Sequence, residues 1–353
     1  MGNNDKKQNL NYAALKKEIS AGEPGRLYLF WGEEDYLIRD IVRTVRNMCV
    51  TEETADFDEK RLSGPALDLD ALEEALNAMP FFGGHIYIEL SGISFELLRS
   101  EDDRKRLASL LSDIPEWCTV VITPQTGTGI DKRLTLYKTI DKLGKAVEIT
   151  VQEHSLLCRW VAARFKAHGK TVDRDAVERL IFLSGELMSG LIPEIEKISA
   201  FCKNDNVTVR EVNAVAHHLP EAIGFELTDR LAAKDFDGAA ALLAEMMAGD
   251  REPMEAFGML GWWLRQLFTV RVCMDAGKTP PEIGAVIGAN SYKATRLIET
   301  AKRFTTARLR RGVRLCAELC AHTRDGSGLY TPEEALKELL VRFALEDTEA
   351  RLA

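Results

Sequence analysis

The stretch that decides the fold of the first 150 residues is Arg26-Leu27-Tyr28-Leu29-Phe30-Trp31-Gly32-Glu33-Glu34-Asp35-Tyr36. Its apolar half lies between Pro24-Gly25 and Gly32, a pattern that predicts a short strand buried on both faces. From Tyr36 to Met48, apolar residues recur at helical spacing. A buried strand that turns directly into an amphipathic helix is typical of a parallel sheet covered by helices.

The same alternation of strand and helix continues to about residue 150. Strands are predicted at residues 85–90, 118–123 and 146–150, and helices at residues 69–79, 101–111 and 134–143. A polar connection is predicted between Met48 and Leu69. This order indicates an α/β domain with a mostly parallel sheet and helices on both faces.

Beyond residue 154 the apolar spacing is almost entirely helical. Helices are predicted at residues 155–168, 173–183, 187–201, 224–233, 237–248, 253–276, 280–287, 291–303, 306–322 and 332–343. Asp, Ser or Thr often precedes these segments and Gly often follows them, as helix capping requires. Three domains are therefore predicted: an α/β domain (residues 1–150), a small helical domain (151–220) and a helical bundle (221–353).

The composition restricts the class of protein. The 353 residues carry a formal net charge of -9, whereas proteins that bind nucleic acid by themselves usually have an excess of Lys and Arg. Any DNA contact is therefore expected from a local patch or from neighbouring subunits. Seven cysteines without zinc spacing, a polar N-terminus and no run near the roughly 18 apolar residues of a membrane span predict a cytoplasmic protein without membrane contact.

The loop after the first predicted strand, Gly32-Glu33-Glu34-Asp35, lacks the chemistry of a nucleotide site. A phosphate-binding loop needs the spacing Gly-x-x-x-x-Gly-Lys-Ser/Thr, and here carboxylates stand where a triphosphate would lie. The Gly-Lys-Thr tripeptides at residues 169–171 and 277–279 follow helices and are interpreted as helix ends. We find no metal-binding or nucleophile motif among the histidines and serines, so no catalytic residue and no cofactor are predicted.

Several segments occur in a fixed order that resembles a known family. They are residues 27–38, Met79-Pro80-Phe81-Phe82-Gly83-Gly84, and residues 190–197, 225–231, 237–250 and 262–267. In this order they resemble the delta subunit family of the bacterial DNA polymerase III clamp loader, over about residues 9 to 345. The family often has a Lys-Ser/Thr-Gly turn near the C-terminus, where this chain has Gly326-Ser327-Gly328.

The resemblance implies a fold and a function. It implies an AAA+-type α/β domain with a degenerate phosphate loop, a lid-type helical domain and an all-α collar domain. It also implies a subunit that binds and opens the ring-shaped sliding clamp (beta), so that the clamp can be loaded on primed DNA. The implied partners are the tau/gamma ATPase subunits and delta-prime, in a hetero-pentameric loader within the polymerase holoenzyme.

Two alternatives stay open at this point. One is an active AAA+ ATPase with an atypical nucleotide site. The other is a non-catalytic loader subunit of the delta-prime type, although that family normally shows zinc-coordinating cysteines and a Ser-Arg-Cys motif that this sequence lacks.

The clamp-contact segment of the family resembles residues 79–84. Pro80 helps to end the preceding helix, and Gly83-Gly84 permits a sharp turn into the next strand. The resemblance implies that Phe81 and Phe82 are exposed anchors for a hydrophobic pocket on the clamp, flanked by Met79 and Leu76. The alternative is that one of the two Phe side chains closes the helix against the sheet, and the spacing of Leu76 and Met79 equally suits core packing.

A basic run is the second candidate site. Between residues 291 and 314 the only acidic residue is Glu299, and the basic residues are Lys293, Arg296, Lys302, Arg303, Arg308, Arg310, Arg311 and Arg314. In an acidic chain this bias predicts contact with DNA phosphates or with acidic neighbouring subunits. The alternative is a solvated helical face. Trp262 and Trp263 are interpreted as collar core or subunit interface, because stacking platforms for bases normally intermix basic residues.

Overall fold

The computed structural model describes residues 12–81, 84–94, 100–125, 129–248, 253–289, 291–324 and 330–352. The chain forms two compact units. The first contains the residues up to Leu157 together with Glu186–Ile192, and the second contains Cys158–Gly185 and the residues from Pro193 onward. The predicted division into three domains, at residues 150 and 220, stays a prediction.

The first unit alternates helices with parallel strands. Its elements are α1 (Tyr12–Ser20), β1 (Leu27–Trp31), α2 (Asp35–Cys49), α3 (Ala55–Asp58), β2 (Glu59–Ser63), α4 (Leu69–Asn77), β3 (Ile86–Ile93), α5 (Glu101–Ser112), β4 (Cys118–Pro124), α6 (Thr135–Leu143) and β5 (Lys145–Glu148). The five strands form one parallel sheet in the order β2-β3-β4-β1-β5.

Strand β1 lies inside the sheet, between β4 and β5, and all five of its residues are buried, as predicted. Leu27, Leu29 and Trp31 pack in one apolar cluster with residues of α4, α5 and α6. Tyr28 and Phe30 point to the opposite face, because side chains alternate along a strand. They too are buried, on the face where α2 contacts β1 and β3. Helices therefore cover both faces of the sheet.

Strand β2 corrects the prediction of a polar connection before Leu69. Residues Glu59–Ser63 pair with β3 from Glu59↔Tyr87 to Ser63↔Ser91 and form an edge of the sheet. All five residues are at least partly exposed, so the segment lacks the apolar run by which the other strands were predicted. Charged side chains are common on edge strands, where they discourage further pairing.

The described residues of the second unit are helical apart from a small two-stranded sheet. Its elements are α7 (His154–Ala167), β6 (Thr171–Val172), α8 (Arg174–Ser184), α9 (Met188–Phe201), β7 (Asn206–Val207), α10 (Val209–Val215), α11 (Pro220–Ala233), α12 (Phe236–Ala248), α13 (Pro253–Asp275), α14 (Pro280–Ile287), α15 (Ser291–Lys302), α16 (Thr306–Arg324) and α17 (Pro332–Leu352). Helices α7 and α9 each begin in the first unit and continue into the second. Strands β6 and β7 pair in parallel.

One apolar cluster extends from Phe225 in α11 to Phe343 in α17 and forms the core of the C-terminal helices. Trp263 lies within it, 1% exposed, and its ring meets the ring of Phe225 edge to face at 5.5 Å. The interpretation of Trp263 as a core residue is confirmed. Trp262, its neighbour on α13, is 37% exposed.

Both Gly-Lys-Thr tripeptides end helices, as predicted. Gly169 has a φ of +72° after α7, and Gly277 has a φ of +74° after α13, the left-handed geometry that glycine adopts at helix ends. The Lys170 ammonium donates to the carbonyls of Cys202 and Asn204. None of the described helices combines the length and the apolar character needed to cross a membrane.

Candidate functional site

Helix α4 and the turn after it position the first candidate site. Asp68 caps α4, because its carboxylate accepts hydrogen bonds from the N–H groups of Asp70 and Ala71. The helix ends at Asn77, two residues before the predicted end, and the chain then turns outward. Met79 is 79% exposed and Phe81 is 66% exposed. Two large apolar side chains therefore face solvent at this turn.

A second segment completes this surface. Phe57, in the short helix α3, is 51% exposed, and its ring stacks on the ring of Phe81 with a centroid distance of 4.8 Å and an interplanar angle of 17°. Phe57, Met79 and Phe81 are called the aromatic patch below. Exposed apolar patches on a folded protein commonly mark interaction sites.

Two hydrogen bonds from other parts of the first unit hold the turn in place. The backbone N–H of Phe81 donates to Oδ1 of Asp58 at 2.9 Å, and Asp58 is only 2% exposed. The indole N–H of Trp117 donates to the carbonyl of Ala78 at 3.2 Å. The turn is thus fixed from two sides, which lowers the entropy that the patch loses when a partner binds.

The structure brings together only part of the predicted clamp-contact set. Met79 and Phe81 are exposed as predicted. Leu76 is 4% exposed and packs in the core against the sheet, because α4 turns that face inward, and this agrees with the core packing that its spacing also allowed. Phe82 lies outside the described residues. Phe57 was not identified from the sequence, and its only signal there is a large aromatic residue between two acids, Asp56 and Asp58.

The basic run is divided between α15 and α16, and several of its members are engaged within the second unit. The Arg308 guanidinium lies 4.5 Å from the ring centroid of Phe343 and 5.3 Å from that of Phe304, and donates to the Phe343 carbonyl at 3.3 Å. Arg308 is 9% exposed. The charged group is enclosed by the helical core, which argues against a contact of Arg308 with DNA or with a neighbouring subunit.

Arg296 and Lys293 also contact aromatic rings. The Arg296 guanidinium lies 4.7 Å from the ring centroid of Phe182 and 4.9 Å from that of Phe225, and it contacts the carboxylate of Asp229 at 3.3 Å. The Lys293 ammonium lies 5.6 Å from the Trp262 ring centroid. Such contacts stabilise helix packing and reduce the charge available to a partner.

The remaining cations of the run are exposed. Lys302 forms an ion pair with Glu299 at 2.5 Å, and the Arg310 guanidinium lies 6.0 Å from the Phe268 ring centroid. The exposed arginines, called the arginine patch below, are Arg303, Arg310, Arg311 and Arg314. Residues 326–328, where the chain departs from the family pattern, lie outside the described residues.

The loop at the position of a phosphate loop holds a buried acid. Glu34 is 0% exposed, and its Oε2 accepts a hydrogen bond from the N–H of Met188 at 3.1 Å. Burial raises the pKa of this carboxyl group, while the N–H groups of Met188 and Tyr36 partly offset the shift. The space beside the start of α2 is therefore filled by the chain's own carboxylate.

A cavity of about 560 Å³ lies near the carboxyl ends of β1, β3 and β4, where parallel sheets commonly bind ligands. Its basic lining residues are Arg39, Arg43, Arg46 and Arg61. Asp35 pairs with Arg39, and Glu59 pairs with both Arg46 and Arg61. Most of the positive charge is compensated within the unit, so the cavity does not by itself indicate an anionic ligand.

Comparison with known proteins connects both units to one family. Residues 28–152 match the family model described as DNA polymerase III, delta subunit. Residues 221–343 match the model described as DNA polymerase III delta subunit, C-terminal domain. Together these matches cover most of the chain.

Individual relatives agree with this result. The DNA polymerase III subunit delta of Bacillus subtilis (strain 168) is 22% identical over 307 residues, which cover 83% of this chain and 86% of the relative. A probable DNA polymerase III subunit delta of Aquifex aeolicus (strain VF5) is 22% identical over 260 residues, or 72% of this chain and 73% of the relative.

The fold is shared with a solved structure. The Bacillus subtilis DNA clamp loader delta protein superposes with a TM-score of 0.55 at 18% identity, over 94% of this chain and 99% of that protein. The predicted α/β unit with a parallel sheet, followed by helical regions, is confirmed.

Proposed function

Because this chain belongs to the delta subunit family of DNA polymerase III, we propose that it binds the ring-shaped sliding clamp through the aromatic patch and opens it for loading on primed DNA. As a member of that family it is a clamp loader component of the polymerase III holoenzyme. Its proposed partners are the clamp, the tau/gamma ATPase subunits and delta-prime in a hetero-pentameric loader, with primed DNA contacted through the complex.

The observation that carries this proposal is the exposed stack of Phe57 on Phe81, with Met79 beside Pro80 in the same turn. Large aromatic side chains dominate binding energy when a partner's pocket removes them from water. Here they stand on a turn fixed by Asp58 and Trp117, so little ordering is needed on binding. An apolar pocket on the clamp surface is the complementary partner.

Opening the ring requires a difference in affinity between two clamp states. A subunit that binds the distorted clamp interface more tightly than the relaxed one shifts the clamp toward the distorted form, by no more than that difference in free energy. In this proposal the chain supplies binding energy alone. ATP bound by partner subunits decides when the aromatic patch is accessible.

The arginine patch is proposed as the contact with DNA phosphates or with acidic surfaces of neighbouring subunits. Arg303, Arg310, Arg311 and Arg314 are exposed in a chain of net charge -9. A local positive field of this kind attracts polyanions even when the whole protein is acidic. Arg308 and Leu76 are left out of the proposed contacts because both are buried.

The first experiment measures binding of the purified chain to the sliding clamp of the same organism by calorimetry. Phe81→Ala is expected to weaken binding roughly 30- to 1000-fold, the usual effect of removing an aromatic anchor worth about 2–4 kcal/mol. The matched control is Phe201→Ala, because Phe201 is 56% exposed but lies at the end of α9, outside the patch. The control should bind like the wild-type chain.

Other outcomes are equally informative. Equal weakening by Phe81→Ala and Phe201→Ala would place the contact elsewhere or show a general loss of folding. A Phe81→Ala/Phe82→Ala variant that still binds tightly would retain the clamp role and reject the aromatic patch. No clamp binding by the wild-type chain, with or without the loader partners, would reject the proposed function.

A further inference from the structure

Helix α9 begins directly after a residue that has no polar side chain. Leu187, the residue before it, is apolar and 40% exposed, and its side chain cannot accept a hydrogen bond. The first N–H groups of a helix have no partner within the helix and carry partial positive charge. The N–H of Met188 is instead bound by the carboxylate of Glu34, which is 154 residues away in the sequence.

Glu34 stands at the start of another helix. It is the residue before α2, in the loop that follows β1, and that is where α/β folds of this kind bind phosphate on helix N–H groups. Its carboxylate is fully buried, and its Oε1 has no hydrogen-bond partner in the described part of the chain. A buried, half-satisfied carboxylate is costly, so its presence at this position calls for a role.

The loop is closed tightly around this carboxylate. Gly32 has a φ of +135°, and a Cβ at this position would lie 2.1 Å from the carbonyl oxygen of Ile149. The N–H of Glu34 donates to the same carbonyl at 3.3 Å. Gly32 therefore allows the loop to pack closely against Ile149, which follows β5. This packing holds the backbone in the position that directs the Glu34 side chain inward.

We propose that Glu34 is a built-in substitute for a bound phosphate: from the start of α2, its carboxylate caps α9 and holds Glu186–Ile192 in the first unit without any nucleotide. Both helix starts lie within the first unit, and the carboxylate supplies the negative charge that a phosphate oxygen would supply to the Met188 N–H. The loop is thereby fixed in a nucleotide-free form.

This contact between the Glu34 carboxylate and the Met188 N–H, called the latch below, explains two features together. It accounts for a loop that has lost the phosphate-binding residues yet stays folded against the sheet, and for an apolar residue at the start of α9. It does not depend on clamp binding, so its test and the test of the proposed function can fail separately.

Hydrogen exchange of the peptide that covers residues 186–192 tests the latch in the intact chain. Glu34→Ala should speed exchange there by roughly 10- to 100-fold, the range expected when a charge-assisted hydrogen bond is lost. Inorganic phosphate should restore protection in Glu34→Ala, because the emptied space offers an N–H donor and room for an anion. Sodium chloride at equal ionic strength should not.

Two further variants keep the test decisive. Glu33→Ala removes the exposed neighbouring acid and should leave exchange unchanged. If Glu34→Ala does not fold, Glu34→Gln, which keeps the volume and a weaker acceptor, should still speed exchange about 3- to 10-fold, since neutral hydrogen bonds are weaker than charged ones. Unchanged exchange in a folded Glu34 variant, or a loss in Glu34→Ala that phosphate does not reverse, would overturn the proposal.

Discussion

The buried carboxylate of Asp58 accepts a hydrogen bond from the backbone N–H of Phe81 at 2.9 Å. Asp58 ends α3, and the preceding residue, Phe57, carries the ring that stacks on Phe81. The same two segments are therefore joined twice, once through the backbone below the surface and once through the rings at the surface. The exposed pair is held by a buried polar contact.

We first predict that Asp58→Ala weakens clamp binding although Asp58 itself is not exposed. Loss of a buried hydrogen bond to a charged group costs about 1.5–3 kcal/mol. Part of this cost lowers the stability of the fold, and part makes the turn less ordered. We expect clamp affinity to fall about 3- to 30-fold in a chain that is still folded by circular dichroism. Calorimetric titration with the clamp measures the effect.

Two controls separate this role from a general effect of charge. Asp58→Asn retains an acceptor oxygen and should recover most of the affinity. Asp56→Ala removes an exposed acid of the same helix and should have no effect. Equal affinity for Asp58→Ala and the wild-type chain would show that the turn is ordered without Asp58.

A second prediction concerns the coupling of Phe57 and Phe81. Because the two rings stack at 4.8 Å, each depends on the other for its position. The double variant Phe57→Ala/Phe81→Ala should lose less clamp affinity than the sum of the two single variants, with a coupling free energy of about 0.5–1.5 kcal/mol. A strictly additive result would mean that the clamp contacts the rings independently, or only one of them.

These contacts also indicate what could be predicted from sequence. β1 was predicted because an interior strand is apolar on both faces, whereas the edge strand β2 has three charged residues in a row and Leu62 as its one apolar residue. Phe57 sits between two acids in a segment with no periodicity, and its pairing with Phe81 arises only when the chain folds. The burial of Leu76 likewise depends on which face of α4 meets the sheet.

The basic run shows the same limit. Its excess of charge was evident from the sequence, but the positions of Arg308 and Arg314 relative to the core were not. Arg308 lies between Phe304 and Phe343, and Phe343 is contributed by another helix. Sequence reasoning about a charged helix predicts a polar face, and it cannot show which cation will instead be enclosed by distant aromatic rings.

Our third prediction separates these two arginines. Arg308→Ala should lower the free energy of unfolding of the second unit by about 2–4 kcal/mol, since it removes contacts of a desolvated cation with two rings and a backbone hydrogen bond. Arg314→Ala should change it by less than about 0.5 kcal/mol, as is usual for an exposed side chain. Denaturant titration of both variants measures the difference.

The exposed arginines should instead affect the binding of DNA. In the assembled loader with its clamp, Arg303→Glu/Arg314→Glu should weaken binding to primed DNA and reduce its salt dependence, because contacts with phosphates release counterions. A charge reversal that leaves both affinity and salt dependence unchanged would remove the arginine patch from the DNA contacts. Retained stability of the double variant is the control.

The fourth prediction concerns pH and Glu34. Burial raises the pKa of this carboxyl group in the folded chain above its value of about 4.3 in an unfolded chain, so the folded state binds the proton more tightly. The resulting stabilisation is fully present below the unfolded pKa and is lost as the pH rises through the folded pKa. Glu34→Gln has no titrating group at this position and lacks this contribution.

The free energy of unfolding of the wild-type chain, minus that of Glu34→Gln, should therefore decrease as the pH rises from about 4 and become constant above the folded pKa. Hydrogen exchange of the β1 amides, corrected for the intrinsic effect of pH, reports this difference for the first unit alone. Glu33→Gln is the control, because Glu33 is exposed, and its difference from the wild-type chain should stay nearly constant. A difference for Glu34→Gln that rises with pH would mean that the hydrogen bond from Met188 outweighs the cost of burying the charge.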